Sequence, residues 1–195
     1  AKLIGLIIPS ITNLFFTELA DSVEKAADKS GFRVVYYNTD NNPDKEKMAV
    51  GMLKSMNADG IIITSNNEEL IDVIDKSGLS VVIIDCEHDF TFEGDIVAAI
   101  RDVSPKADGI FACNDMMTLS VYKQLTQKGI RVPQDISIVG FDDVMLSKLV
   151  TPEITTIAQP IDKMGRMAVK LITGEQISQN AVVYKPELIK RETTK

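Results

Sequence analysis

The sequence predicts an α/β protein built on parallel β-sheets, and three observations lead there. Short apolar runs rich in Val and Ile recur along the chain, each followed by a segment with helical spacing. The runs are continuous rather than alternating, as in strands buried on both faces of a sheet. Glycine and proline stand at the seams: Gly31, Gly78 and the Asn57–Ala58 step fall where helices should end, and Pro43 falls where one can begin.

In order, Leu3–Ile8 is a strand followed by a helical pattern over Asn13–Ser30. Val34–Tyr37 precedes Asp44–Met56, Ile61–Thr64 precedes Glu68–Lys76, and Val81–Asp85 closes this first series. A second series starts after residue 90, with Glu93–Val103 as a helix, Gly109–Ala112 as a strand, Met116–Lys128 as a helix and Ile136–Phe141 as a strand. It is short, and so thin a layer struggles to bury both faces of a sheet. After Thr155–Gln159, the segment Lys163–Ile172 carries Met164, Met167, Ala168 and Leu171 at i, i+3, i+4, i+7 spacing, which assigns the two methionines to the core. Gly174 ends that helix, and Val182–Tyr184 and Glu187–Lys190 read as short terminal strands.

The 195 residues allow one domain or two small lobes. With 21 Lys and Arg against 28 Asp and Glu, the net charge of −7 repels a phosphate backbone, so any DNA-binding surface lies elsewhere. Cys86 and Cys113 both follow apolar runs and make neither a disulfide framework nor a zinc site, and His88, between Glu87 and Asp89, reads as a solvated loop residue. The first apolar run stops at Pro9, far short of the ~20 residues that span a bilayer. The expectation is a cytoplasmic protein without membrane contact, although a mature periplasmic chain would also lack its signal.

Ligands of parallel α/β sheets bind beyond the carboxyl ends of the strands. In the first series those ends carry Pro9, Ser10, Asn38, Thr39, Asp40, Thr64, Ser65 and Asp85. Ser10, Asn13, Phe15 and Phe16 stand where the first strand hands over to the first helix, a mixture of amide, hydroxyl and aromatic face that suits a polyol ring. The same residues equally describe a helix cap at Asn13 or Thr12 with both phenylalanines in the core, and the segment alone leaves both readings open. Asp85, Asn114, Asp115, Asp142 and Asp143 each follow an apolar strand, where a carboxylate can accept two adjacent sugar hydroxyls. Of these, Asp115 and Asp143 read as helix caps. The chain has no GxGxxG after its first strand, no GxxxxGK[ST] and no evident Cys–His pair, so no enzyme, cofactor or metal is expected.

Several long segments, in order, resemble the effector-binding domain of the LacI/GalR family, with the ribose-repressor branch the nearest impression. They are LIGLIIPSITNLFFTELADSVEKAADKSGFRVVYYNTDNNPDKE, ADGIIITS, VVIID, GIFACNDMMTLSVYKQLTQKGIRVPQDISIVGFDD, TPEITTIAQPIDKMGRMAVKLI and ELIKRETT. The resemblance implies the type I fold of periplasmic binding proteins: two Rossmann-like lobes with parallel sheets and a ligand cleft. Residues 1–86 and 160–185 would form the amino-terminal lobe, and 87–159 with 186–195 the carboxy-terminal one. Carried over by motif, Asn13, Phe15, Phe16 and Asp85 resemble the first lobe's sugar contacts, and Asn114, Asp142 and Gln159 the second's.

The implied function is that of a sugar-sensing domain in a bacterial repressor, answering to ribose or a related sugar, dimeric, and reaching operator DNA through a headpiece that this chain lacks. Sugar binding would change the angle between the lobes and so the spacing of two headpieces. A periplasmic sugar receptor for a transporter is the alternative. Two departures stand out. Cys86 occupies the place of an arginine common in relatives, which leaves the sugar's identity open. Between Asp85 and Phe90 the family pattern carries about seventy to eighty further residues, about two strands and two helices, so the second lobe is expected to be incomplete and to expose apolar faces.

Overall fold

The computed structural model describes residues 2–65, 67, 69–84, 95–174 and 181–195. The chain divides into two compact units, Ala1–His88 with Pro160–Val182 and Asp89–Gln159 with Val183–Lys195.

In the first unit, strands β1 (Leu3–Ile8), β2 (Arg33–Asn38), β3 (Gly60–Ile63) and β4 (Ser80–Ile83) form a parallel sheet in the order β2-β1-β3-β4. Helices α1 (Leu14–Lys29), α2 (Pro43–Ser55) and α3 (Leu70–Ser77) connect them, and α7 (Ile161–Thr173) returns late in the chain. Successive side chains of a strand point to opposite faces, so a continuous apolar run needs helices on both sides. Ile7, Ile61 and Ile63 pack with Ala49, Val50 and Leu53 of α2 and with Leu70 of α3. Ile4, Leu6 and Ile62, of opposite parity, are also fully buried. Each such aliphatic side chain contributes about 1.5–3 kcal/mol of burial.

Close packing explains two glycines. A Cβ on Gly5 would run into the Leu53 side chain of α2, and a Cβ on Gly165 of α7 would run into Ser22 of α1. The Ser22 hydroxyl donates to the Asp162 carbonyl at 2.9 Å, fastening the α1–α7 pair. Helix ends follow the sequence signals. Asn42 caps α2 by accepting from Asp44 N at 2.9 Å, with Pro43 in the first turn, and α3 stops at Gly78, whose φ of +71° is left-handed.

The second unit holds α4 (Ile96–Val103), β5 (Gly109–Phe111), α5 (Asp115–Gln127), β6 (Ser137–Asp142), the short helix α6 (Leu146–Leu149), β7 (Thr156–Ala158) and β8 (Glu187–Ile189). Its sheet order is β5-β6-β7-β8, with β5, β6 and β7 parallel and β8 antiparallel to β7. Val97 of α4 and Val121 and Leu125 of α5 pack on Ile136 and Ile138, with Ile110 partly buried beside them.

The other face of this sheet is less well covered. Phe111 pairs across from Val139, Phe141 from Ile157, and Ile157 from Leu188, so these five apolar residues share it. Phe111 is 61% exposed and Leu188 59%, while Val139, Phe141 and Ile157 are half-buried. Helices α4 and α5 lie on the Ile138 side.

Three differences from the sequence reading have physical causes. Val182–Tyr184 is not a strand: Val183 is 91% exposed, these residues have no ladder partner among the described residues, and β8 takes the place beside β7. The antiparallel β8 makes this sheet mixed rather than purely parallel. Helix α6 has no counterpart in the sequence reading, because four residues are too few to display a helical period.

Candidate functional site

In the first unit the polar groups gather at the carboxyl edge of the sheet. Asn13 caps α1, its Oδ1 accepting from Phe15 N at 3.0 Å. Phe15 and Phe16 are both buried, edge to face with ring centroids 5.1 Å apart. The structure thus places Asn13 as the cap and both rings in the core of this unit. Asn38, at the end of β2, accepts from Ile11 N and donates to Asp40 Oδ1, each at 3.0 Å. Lys45 and Asn38, by hydrogen bonding, hold the Asp40 carboxyl below the usual carboxylate range. Just past β3, the buried Thr64 leaves its hydroxyl without a hydrogen-bond partner among the described residues. Asp85, Cys86 and His88 lie outside the described residues.

In the second unit, Asn114, Asp142 and Gln159 follow or end three successive parallel strands, β5, β6 and β7. Neighbouring strands lie about 4.8 Å apart, so this is a compact group. Asn114 caps α5, accepting from Met117 N at 2.7 Å. Asp142 is buried, and its Oδ1 accepts from Gln159 Nε2 at 2.7 Å while its carbonyl accepts from Gln159 N at 3.2 Å. Asp142 has φ +109° and Asp143 φ +58°. A left-handed backbone costs an L-residue about 1–2 kcal/mol, so two in succession must be held by their surroundings.

Two residues that hold them carry no such role in the sequence reading. Asp115, read as a helix cap, is instead the first residue of α5, whose cap is Asn114. Its carboxylate instead reaches across the sheet end, accepting from Val144 N at 2.9 Å and from Thr156 Oγ1 at 2.6 Å. Burial pushes its pKa up to about 6, against the opposing pull of those two hydrogen bonds. Gly140 makes room for it, since a Cβ there would collide with Asp115 Oδ1 and Thr118 Oγ1. Asp143 does not cap α6 either, as the residue before that helix is Met145. It accepts from Ser147 Oγ at 3.0 Å and pairs with Arg191 at 2.6 Å, both partners being largely buried. Arg191 also donates to Ser147 Oγ at 3.1 Å and to the Ile154 carbonyl at 2.9 Å. Its signal in the sequence is the ELIKRETT segment, which carries no role by itself.

The chemistry available is hydrogen bonding to hydroxyls. A carboxylate offers several lone pairs in one plane, and amides both donate and accept. Among the described residues no cluster of three His, Cys, Asp or Glu is placed to hold a metal ion, and no helix is long and apolar enough to cross a membrane.

Comparison with known proteins agrees with this fold. The periplasmic binding protein-like domain family matches residues 4–194. The ribose operon repressor of Halalkalibacterium halodurans is 26% identical over 263 residues, covering 99% of this chain and 80% of the relative. Catabolite control protein A of Priestia megaterium is 26% identical over 270 residues, covering 98% and 81%. Among solved structures, a periplasmic binding protein/LacI transcriptional regulator from Alkaliphilus metalliredigens, complexed with D-xylulofuranose, superposes with a TM-score of 0.79 at 25% identity, covering 100% of this chain and 99% of that one. The chain belongs to the periplasmic binding protein-like domain family, as the effector-binding domain of a LacI/GalR-type transcriptional regulator.

The match to the Halalkalibacterium repressor is longer than this chain. It runs over 263 positions and this chain has 195 residues, so at least 68 positions are filled by the relative alone. That size agrees with the internal break expected from the sequence.

Proposed function

We propose that this domain senses a small uncharged sugar, ribose or a related pentose, and passes the signal to DNA-binding headpieces of a cytoplasmic homodimer. The observation that carries the reading is the Asp142–Gln159 pair at the carboxyl edge of β6 and β7: a buried carboxylate oriented by a neutral amide suits vicinal hydroxyls. Asn114 adds a third polar side chain to that group, and the family resemblance proposes Asn13, Phe15, Phe16 and Asp85 as sugar contacts of the first unit in their own right. The names of the relatives support the class, with a ribose operon repressor and a D-xylulofuranose complex among them.

The homodimer reading has its own support. Met48, Met52 and Met56, at i, i+4 and i+8, run along α2 and past its end, and all three are exposed. An exposed stripe of adaptable apolar side chains suits a protein interface. Operator binding is proposed through a separate headpiece rather than through this domain, consistent with the net charge of −7.

A thermal-shift titration with D-ribose, D-xylulose and D-ribose 5-phosphate tests this reading. A ligand that binds only the folded state raises its apparent stability with concentration. A saturable rise with ribose or xylulose, absent with the phosphate ester, is expected. A shift with the phosphate ester alone, or with none of the three, would overturn it.

A further inference from the structure

We propose that Arg191, assisted by Asp115, is a positioning residue that holds the Asp142 carboxylate in the conformation that binds effector. The inference rests on the sugar-sensing reading above.

Asp142 and Asp143 occupy successive left-handed backbone conformations, at φ +109° and +58°. Such conformers persist where the surroundings over-determine them, and they gather at ligand sites. Here two fixings bracket the pair. On one side, Arg191 spans three points: the Asp143 carboxylate at 2.6 Å, Ser147 Oγ at 3.1 Å and the Ile154 carbonyl at 2.9 Å. A planar guanidinium can satisfy such a set, and a lysine ammonium matches it only in part. On the other side, Asp115 accepts the Val144 N–H at 2.9 Å, immediately after Asp143, and the Thr156 hydroxyl at 2.6 Å, three residues before Gln159.

Both fixings therefore end on the segments that carry Asp142 and Gln159. Arg191 itself is anchored along the strand end, its N–H donating to Thr155 Oγ1 at 2.9 Å, so the clamp is registered against the sheet. The Arg191–Asp143 pair is largely buried, with side chains 10% and 16% exposed, so salt screens it little. Removing one partner leaves the other charge buried and uncompensated.

The test compares wild type, Arg191→Met, Arg191→Lys and Asp143→Asn, by calorimetric titration with D-ribose and by amide hydrogen exchange of residues 141–147 without sugar. Arg191→Met is expected to weaken ribose binding more than about tenfold and to speed exchange at Val144, with Arg191→Lys restoring part of both. Asp143→Asn breaks the same pair from the other side and should repeat the effect in milder form, which serves if Arg191→Met fails to fold. Ribose affinity within twofold of wild type in a folded Arg191→Met protein overturns the proposal. If wild type binds no ribose, the sensing reading fails separately, and exchange decides this one: acceleration in Arg191→Met supports the clamp, and unchanged exchange overturns it.

Discussion

Gln159 Nε2 donates to Asp142 Oδ1 at 2.7 Å, tying the segment after β7 to the acid that ends β6. The contact orients a buried carboxylate without neutralising it, since an amide carries no charge. Asp142→Ala is expected to weaken sugar binding more than about tenfold, because the sugar hydroxyls and the amide both lose their acceptor. Gln159→Leu keeps the acid and loses its orientation, so a smaller loss is expected. Calorimetric titration of both variants checks the order.

Asp115 makes a pH prediction with a defined sign. Its pKa is about 6 in the folded chain against 3.8 for the ordinary group, chiefly through burial. Between those values the folded state binds more protons than the unfolded, so this group's contribution to stability falls as pH rises from about 4 to 6 and is flat above. In Asp115→Asn that slope disappears, which urea unfolding at a series of pH values measures as the difference from wild type. The amide can still accept from Val144 N–H and donate to Thr156 Oγ1, so ribose affinity at neutral pH should stay within a few-fold of wild type.

Gly140 lies on β6 with Asp115 Oδ1 and Thr118 Oγ1 in the space a Cβ would fill. Gly140→Ala should therefore cost about 1–3 kcal/mol, the usual range for overpacking a close-packed site. It should also weaken sugar binding, because Asp115 must move. Chemical denaturation alongside a sugar titration measures both effects on one preparation.

The parts of this molecule that were legible in the sequence are those with a period or a cap. Leu3–Ile8 matched β1 to the residue, and Pro43 and Gly78 marked real helix ends. Asn13 offered a cap and a sugar contact in the same letters, and the structure shows the cap. The strand-end position of Asn114 and Asp142 was legible because parallel sheets put their polar ends on one edge, whereas Gln159 entered only through the family resemblance. Asp115 and Arg191 were not, since what they do depends on partners 29 and 48 residues away in sequence, Val144 and Asp143 respectively. No local pattern encodes such contacts. Val182–Tyr184 differs for the opposite reason, with β-favouring residues that join no ladder among the described residues.

Phe111 stands on the exposed apolar face of the second sheet. At 61% exposure it contributes little to the core, so Phe111→Lys should change stability by no more than about 0.5 kcal/mol. It should also reduce concentration-dependent self-association, because it places a charge on the exposed apolar face. Light scattering across a dilution series, beside urea unfolding, separates the two effects.

The most direct test of the central claim is calorimetric titration of this domain with D-ribose, in wild type and in Asp142→Ala. Saturable binding near one sugar per chain, weakened more than about tenfold by the substitution, is the predicted result. Equal affinity in the two proteins, or no heat from ribose in wild type, would contradict it.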